Sequence, residues 1–350
     1  MEETPARAGR GRGLGTRLGP GRPGERAWRL VRVGLQLAVS GGILAFLLVQ
    51  IDVTRTVDLV RTSNAGYLGL ALAIFLATTW LMALRWQLLL ASKGIREPLA
   101  WLTRLYFVGY AAGQVLPTSM GGDAVRIVEH ARRRPDAKGE AAGAVLIERV
   151  IGASGTLALV AVGLAVAVGR YDDLEIVVWV EVAGVLTVAA LAFLMFSRRT
   201  RQVLEERVFP LGRSVHLERP LESVHRALHG YRDHAGVLVA ALALTVGTQL
   251  ARIVGIWLCG EAVGVDLSPL VYVILGPLLF LVMMVPFTIN GIGVREAFFV
   301  AFLGRFDVDP DTAFATGFLF YAVTVATSVP GGFVLLWRSL RPARVRPRVG

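Results

Sequence analysis

Six long stretches of this chain contain no charged side chain, and they constrain its fold more than any other feature. They are residues 33–51, 62–84, 105–122, 150–169, 267–294 and 312–337. A helix that crosses a bilayer needs about 20 mostly apolar residues, whereas outer-membrane strands alternate apolar and polar residues. Because 54% of the residues are hydrophobic and only 18% are charged, we predict an all-α polytopic membrane protein with six to eight transmembrane helices, and exclude a soluble enzyme and a secreted scaffold.

The positive charge of the chain is concentrated in its tails and in a few loops. The formal net charge is +11 at pH 7, and residues 1–32 contain eight Arg, no Lys and no cleavage pattern of a signal peptide. In membrane proteins such charge usually binds anionic lipid headgroups at the cytoplasmic surface. We therefore expect a disordered Arg-rich cytoplasmic tail over residues 1–32, a basic cytoplasmic tail over residues 338–350, anionic membrane lipids at both tails, and no nucleic-acid partner.

The distribution of the 37 basic residues predicts the topology. Most of them fall in residues 1–32, 85–104, 126–149, 198–232 and 338–348. The remaining loops, which are mostly acidic, are residues 52–61, 170–175, 261–266 and 305–311. Loops rich in Lys and Arg beside membrane-spanning helices face the cytoplasm. Both termini are therefore predicted to be cytoplasmic, which requires an even number of complete crossings.

Two apolar segments conflict with this topology if each of them crosses the membrane. Basic sequence flanks residues 105–122 on both sides, and acidic loops flank residues 267–303, which Pro286 and several Gly residues interrupt. Both conflicts disappear if residues 102–132 and 267–303 are re-entrant hairpins, from the cytoplasm and from outside respectively. Such broken backbone is tolerated when it is buried in protein or lines a cavity. The predicted complete spans are residues 33–51, 62–84, 142–169, 175–197, 235–259 and 312–337.

These elements recur in the same order in the two halves of the chain. Residues 33–170 and residues 171–337 each contain two spans, a hairpin and a further span, and the second half also contains an amphipathic linker over residues 198–234. Pro, Gly, Val and Arg recur at the same offsets in residues 117–126 and 286–295. Opposite orientations of the two halves are expected, which is the organisation of an inverted-repeat transporter.

The two hairpin breaks contain the strongest candidate site. In each break a Gly-rich turn precedes a returning helix, and the N-terminus of a helix favours an anion such as phosphate. Arg126 and Arg295 are predicted to bind one phosphate at the pseudo-symmetry centre, because a guanidinium group fits phosphate oxygens in two-pronged fashion. Asp123 and Asn290 are N-cap residue types. The other residues that we assign to the breaks are Gly121, Gly122, Gly291, Gly293 and Glu296.

Further charges within apolar sequence are candidates for the same cavity, because such charges are costly and often functional. Arg149 and Arg252 would add to the phosphate site. Three carboxylates would balance charge or contact a cationic headgroup: Asp123, Glu148 and Glu296. The alternative is that each Arg pairs with a nearby carboxylate and only fixes the hairpin.

Three other features have structural explanations. Arg85 beside Trp86 is expected to anchor its helix at the level of the headgroups. His225 and His229 have the i, i+4 spacing of a metal pair, but a helix on the membrane surface explains them better. Cys259 is the one cysteine, so an internal disulfide and a thiolate metal site are excluded. No metal and no cofactor are expected.

From Gly34 to Trp337 the order and spacing of several motifs resemble the lysylphosphatidylglycerol synthase transmembrane region family. The motifs are Arg85-Trp86 with Leu88, Leu89, Leu90 and Gly94; Gly113 with Pro117; Gly121-Gly122-Asp123-x-x-Arg126; Glu148-Arg149; and Pro286 with Asn290-Gly-x-Gly-x-Arg295-Glu296. The resemblance implies a flippase-like lipid-handling module of a prokaryotic cytoplasmic membrane. In the family's synthases an aminoacyl-transferase domain follows this region; the present sequence ends at Gly350, so aminoacyl transfer is not expected.

We predict a non-catalytic, flippase-like transporter that moves a phosphate-bearing lipid headgroup, such as that of a phospholipid, across the cytoplasmic membrane. Two alternatives remain open. One is a lipid-modifying transferase that uses Asp123 or Glu148 as a general base. The other is a non-catalytic partner that recruits a lipid or cell-envelope synthase through its Arg-rich tails. A homo-oligomer is compatible with each of them.

Overall fold

Helices make up nearly all of the chain that the structure describes. The structure, a computed structural model, describes residues 23–115, 121–167, 230–231, 234–284 and 291–340. The helices are α1 (Pro23–Gln50), α2 (Val53–Thr62), α3 (Ala65–Ala91), α4 (Leu99–Val115), α5 (Gly121–Arg133), α6 (Lys138–Ala167), α7 (Ala235–Glu261), α8 (Pro269–Met284), α9 (Val294–Leu303) and α10 (Pro310–Leu340). Short 3₁₀ turns at Pro135–Ala137 and Gly304–Phe306 precede α6 and α10. The described residues contain no β-strand, and the predicted all-α class is confirmed.

Four helices are long and apolar enough to cross a membrane, namely α3, α6 with its preceding turn, α7 and α10. Residues Leu37–Gln50 of α1 and the whole of α2 pass the same test as a pair, but the two helices meet at 91°. The chain is therefore a multi-pass membrane protein. The predicted span 175–197, nearly all of the linker 198–234 and the ends of both tails lie outside the described residues. Residues 23–32, which are predicted to belong to a disordered tail, are the first turns of α1 in the structure. The number of complete spans stays a prediction.

Helices α4 and α5 form an antiparallel pair, which we call the first hairpin. Near the break, Gly109 of α4 lies against Gly122 of α5, so closely that a Cβ atom on Gly122 would be 2.5 Å from the Gly109 carbonyl oxygen. At the other end, Glu97 precedes α4 and pairs with Arg133 at 3.6 Å and with Arg134 at 3.3 Å, at the end of α5. Both ends of the first hairpin therefore lie together, as a re-entrant hairpin requires; its depth in the membrane stays a prediction.

Helices α8 and α9 occupy the corresponding place in the second half, and we call them the second hairpin. Tyr272 of α8 and Phe299 of α9 are fully buried in one hydrophobic core that also contains residues of α3, α7 and α10. Gly317 of α10 packs against Phe299, and Ser40 of α1 packs against Gly293. The second hairpin is thus enclosed by protein on several sides.

The two halves share the same local structure where a long helix leads into a hairpin. Helices α3 and α7 both contain 27 residues. Each is followed by a glycine with positive φ, 76° at Gly94 and 82° at Gly264. The amide of Ile95 then donates to the Leu90 carbonyl, and the amide of Val265 donates to the Gly260 carbonyl. This turn satisfies the last carbonyls of a helix. The correspondence supports the predicted repeat; the inverted orientation of the halves stays a prediction.

Candidate functional site

Glu148 is the centre of a buried polar site between α3, α4, α5 and α6. Its side chain is only 3% exposed, and it accepts three hydrogen bonds. Arg85 Nε donates to Oε1 at 3.3 Å, Tyr106 OH donates to Oε1 at 2.5 Å, and Arg126 NH2 donates to Oε2 at 3.2 Å. A carboxylate buried among helices requires such partners, because removing an isolated charge from water costs several kcal/mol.

Asp123 extends this site from the buried centre toward the surface. Its Oδ1 accepts from Arg126 NH2 at 2.6 Å, while its Oδ2 accepts from Arg149 Nε at 2.9 Å and from Arg149 NH2 at 2.6 Å. The side chains of Asp123 and Arg149 are 27% and 38% exposed. We call Arg85, Asp123, Arg126, Glu148 and Arg149 the arginine cluster.

Arg126 bridges the two carboxylates, Asp123 and Glu148, and its guanidinium group is buried. Its Cζ lies 3.9 Å from the ring centroid of Tyr106 and 4.9 Å from that of Trp86, so the rings stabilise the cation. Its NH1 is buried and has no hydrogen-bond partner in the described part of the chain. A buried donor without a partner is costly, so NH1 is the atom at which an acceptor from a ligand would gain most.

A cleft of about 760 Å³ lies beside the exposed edge of the arginine cluster. Asp123 and Arg149 line the cleft, as do Lys93, just after α3, and Glu140, in the first turn of α6. Lys93 Nζ lies 4.3 Å from the ring centroid of Tyr231 and contacts the Gly230 carbonyl. Burial raises the pKa of Tyr231, which stays protonated and donates to a backbone carbonyl of α3. The cleft therefore offers both cationic and anionic side chains to a ligand.

The Gly-rich start of α5 brings the arginine cluster together. Gly121 and Gly122 form the first residues of α5. Because Gly122 has no side chain, the backbone of α5 can touch α4 at Gly109, and Arg126 then packs on the same glycine. Asp123 lies in the first turn of α5 rather than at the predicted N-cap position, and its carboxylate binds two arginines instead of backbone amides.

The second break differs from the first, because the Glu296 carboxylate accepts the hydrogen bonds of Arg295 and of the helix start that were predicted to bind phosphate. Glu296 Oε2 accepts from the Gly293 amide at 2.7 Å, and its Oε1 accepts from Arg295 Nε at 3.0 Å and Arg295 NH2 at 2.8 Å. Arg295 is 2% exposed and lies over the ring of Tyr321 at 4.3 Å. Gly291 and Gly293 have positive φ values of 75° and 86°, while the predicted cap Asn290 lies outside the described residues.

The structure does not bring Arg126 and Arg295 to one anion. Along α10, Gly317 packs against Glu296, whereas Gly331 packs against Phe107 of α4, two residues before the glycine on which Arg126 packs. These glycines are 14 residues apart, which corresponds to about 20 Å along a helix. The prediction of a single phosphate between the two arginines therefore needs correction: each arginine belongs to its own cluster.

Two further arginines differ from their expected roles. Arg85 is not an exposed anchor; it is 6% exposed, pairs with Glu148, and donates from NH1 to Thr245 Oγ1 at 2.7 Å. The signal available in the sequence was its position before the end of an otherwise uncharged helix. Arg252 lies outside the arginine cluster and contacts α3 and Tyr110 of α4. Sequence reasoning missed Tyr106 and Tyr110, whose i, i+4 spacing places them on one face of α4.

Comparison with protein families identifies the chain. The family described as the lysylphosphatidylglycerol synthase TM region matches residues 33–332. This match covers most of the sequence and includes every helix that contributes to the arginine cluster. The chain belongs to this family. A comparison with curated proteins found no match.

Membership of the lysylphosphatidylglycerol synthase TM region family confirms the resemblance noted from the motifs. The motif residues Arg85, Asp123, Arg126, Glu148 and Arg149 of this family member meet in one cluster, although they come from three helices. The family indicates a membrane protein with a lipid-related function.

Proposed function

We propose that this protein is a flippase-like transporter that moves a phosphate-bearing lipid headgroup across the cytoplasmic membrane. The observation that carries the proposal is the arginine cluster, in which Arg85, Arg126 and Glu148 are buried between membrane helices while Asp123 and Arg149 line a cleft. Ionisable residues inside membrane segments usually face a substrate pathway, because their burial is otherwise costly.

The composition of the cluster favours phosphate as the group that enters it. Guanidinium groups bind phosphate oxygens through two parallel hydrogen bonds. Arg149 lines the cleft, and Arg126 lies behind it with a buried NH1 that lacks a partner among the described residues. Asp123 lies between these two arginines and holds both in place until a phosphate competes for them. A headgroup in this polar site can keep its acyl chains in hydrocarbon, which lowers the cost of moving its charge.

The carboxylates of the cluster favour transport over catalysis. A general base needs a lone pair that faces the proton it removes. Glu148 already accepts from Arg85, Tyr106 and Arg126, and Asp123 accepts from two arginines. We therefore propose a non-catalytic protein whose carboxylates position arginines. Its substrate would be a phospholipid or a related phosphate-bearing lipid.

The cleft is proposed to open toward the cytoplasm. It lies between the end of α3, the start of α6 and the residues that precede α7. The predicted topology places these three segments on the cytoplasmic side, in a prokaryotic cytoplasmic membrane with both termini inside. The headgroup would then enter from the inner leaflet.

Lipid flipping in proteoliposomes tests the proposal. The purified protein is reconstituted into vesicles of phosphatidylcholine and phosphatidylglycerol that contain a fluorescently labelled phosphatidylglycerol, and dithionite is added outside. With the parent protein, we expect dithionite to reduce the label of both leaflets, because inner-leaflet lipid is moved outward. Arg149→Gln should slow the reduction of inner-leaflet label about tenfold, which corresponds to about 1.4 kcal/mol of lost interaction. Arg132→Gln is the matched control, because Arg132 is 73% exposed at the end of α5 and pairs with Glu129 outside the cluster.

The two possible failures have different meanings. A parent protein that leaves half of the label protected, as empty vesicles do, would contradict transport of this lipid. Equal rates for the parent and Arg149→Gln would contradict the role of the arginine cluster.

A further inference from the structure

Arg252 presents a guanidinium group in the membrane interior to which the described residues offer only neutral partners. Its Nε donates to Thr78 Oγ1 at 3.3 Å, and its NH2 donates to Tyr110 OH at 2.7 Å and contacts Met82 Sδ at 3.4 Å. Its Cζ lies 5.4 Å from the ring centroid of Phe75 and 5.9 Å from that of Tyr110. Within the described chain, no carboxylate pairs with Arg252, and its NH1 makes no hydrogen bond.

Arg252 lies near the middle of the membrane-crossing helices. Thr78, which accepts from Arg252, is the central residue of α3 (Ala65–Ala91). A cation at this depth is costly unless it has an anionic partner or faces a polar path. Arg252 is only half-buried. Part of the Arg252 side chain is therefore open to a ligand.

Two tyrosines connect Arg252 with the arginine cluster. The guanidinium of Arg126 lies over Tyr106, the ring centroids of Tyr106 and Tyr110 are 6.3 Å apart, and Tyr110 accepts from Arg252. Arg85 of the cluster lies about two turns after Thr78 along α3, which is a rise of about 10 Å. An anion that leaves the arginine cluster would therefore meet Arg252 deeper in the bilayer.

We propose that Arg252 is a second phosphate site, which binds the phosphate of a lipid headgroup near the membrane midplane. The two hydrogens of NH1 point to no described acceptor, and the hydroxyl groups of Thr78 and Tyr110 can donate to phosphate oxygens when they rotate. The passage of a headgroup from the cluster to Arg252 rests on the proposed function, whereas the phosphate site itself rests on the contacts of Arg252. Free inorganic phosphate has the same chemistry and is distinguished below.

Photocrosslinking tests the occupancy of this site directly. Benzoylphenylalanine replaces either Met82, beside Arg252, or Leu146, in the cleft, in the full-length protein. The probes are dioctanoyl phosphatidylglycerol and dioctanoylglycerol, which lacks the phosphate. We expect the phospholipid to crosslink at position 82 about fivefold more than the diacylglycerol.

The role of Arg252 is isolated by two variants in the same crosslinking experiment. Arg252→Gln should remove the phospholipid excess at position 82 and leave crosslinking at position 146 within about twofold, which also shows that the variant is folded. Arg252→Lys keeps the charge and should retain part of the excess. An absent excess at position 82, or one that Arg252→Gln leaves unchanged, overturns the proposal.

Inorganic phosphate separates the two sources of the anion. If millimolar phosphate leaves the excess at position 82 intact, the lipid headgroup is the ligand; if it abolishes the excess, the assignment to a lipid is overturned in favour of the free ion. Arg252-dependent crosslinking in a protein that does not flip lipid would refute the proposed transport and leave the phosphate site standing.

Discussion

The two hairpins share a sequence pattern but use their arginines differently. In the first hairpin, Arg126 reaches carboxylates on two helices and belongs to a cluster beside a cleft. In the second hairpin, Arg295 pairs with the adjacent Glu296, which also accepts from the Gly293 amide. The same Pro-Gly-Val-Arg pattern therefore gives a site that is continuous with a cleft in one half and a locally closed pair in the other.

The difference arises from where the returning helix begins. Helix α5 begins at Gly121, so Arg126 lies in the second turn and its side chain reaches Glu148 of α6. Helix α9 begins only at Val294, after two glycines with positive φ, so Arg295 lies in the first turn beside its own partner. The residue at which the returning helix begins thus determines whether the arginine pairs with a carboxylate on a neighbouring helix or with one on its own helix.

The largest expected difference concerns the stability that the protein loses when the carboxylate paired with each hairpin arginine is removed. Glu148→Gln leaves Arg85 and Arg126 without their shared countercharge, and breaking a buried pair costs about 3–5 kcal/mol. Glu296→Gln removes the countercharge of Arg295 alone and keeps an oxygen for the Gly293 amide, so its cost should be smaller. Thermal unfolding in detergent measures both changes. A larger loss for Glu296→Gln would show that the second pair, and not the first cluster, is the main buried ionic site.

A substitution at the first break tests the close packing that assembles the cluster. Gly122→Ala places a Cβ atom 2.5 Å from the Gly109 carbonyl oxygen, which is backbone and cannot move without shifting α4. Overpacking of this kind costs about 1–3 kcal/mol. Gly113→Ala is the control on α4, since a Cβ atom there meets nothing within 4 Å. Comparable unfolding temperatures for the two variants would contradict the proposed contact.

Part of this arrangement could be predicted from the sequence. Uncharged stretches identify α3, α6 and α10, the span predicted over residues 235–259 corresponds to α7, and charges on both sides of residues 105–122 indicate a hairpin whose ends lie together. The candidates Asp123, Arg126, Glu148 and Arg149 do form ion pairs with one another, because charged side chains in apolar sequence need polar partners within the protein.

The partners of these charges could not be predicted, because they depend on three-dimensional packing. Tyr106 lies in a continuous apolar stretch and carries no sign that its hydroxyl meets Glu148. The pairing of Glu296 with the Gly293 amide depends on the residue at which α9 begins, and the two breaks look alike in sequence. Arg85 is expected at headgroup level because it lies beside Trp86, and the sequence does not show that its partner is Glu148, 63 residues later.

The smallest expected effect concerns pH and is confined to the first hairpin. His130 lies near the end of α5, outside the four spanning helices, between Trp86 and Trp101 and beside Glu97. Burial lowers its pKa, although Glu97 opposes this, so the folded state keeps it neutral while the unfolded state binds a proton near pH 6.5. Stability should therefore fall as pH decreases below about 6.5.

His130→Phe should weaken this pH dependence and preserve the aromatic packing. Unfolding temperatures between pH 7.5 and pH 5.5 measure the effect in detergent. If the parent and the variant lost the same stability between pH 7.5 and pH 5.5, the pH dependence of stability would not come from His130.

The most direct test of the account compares Arg126→Gln and Arg295→Gln in the same flipping assay, at equal amounts of folded protein. If the arginine cluster contacts the headgroup, Arg126→Gln should lower the initial flipping rate about tenfold or more, whereas Arg295→Gln should stay within about twofold of the parent. Equal losses, or a greater loss for Arg295→Gln, would contradict the claim that phosphate enters at the arginine cluster and not at the second break.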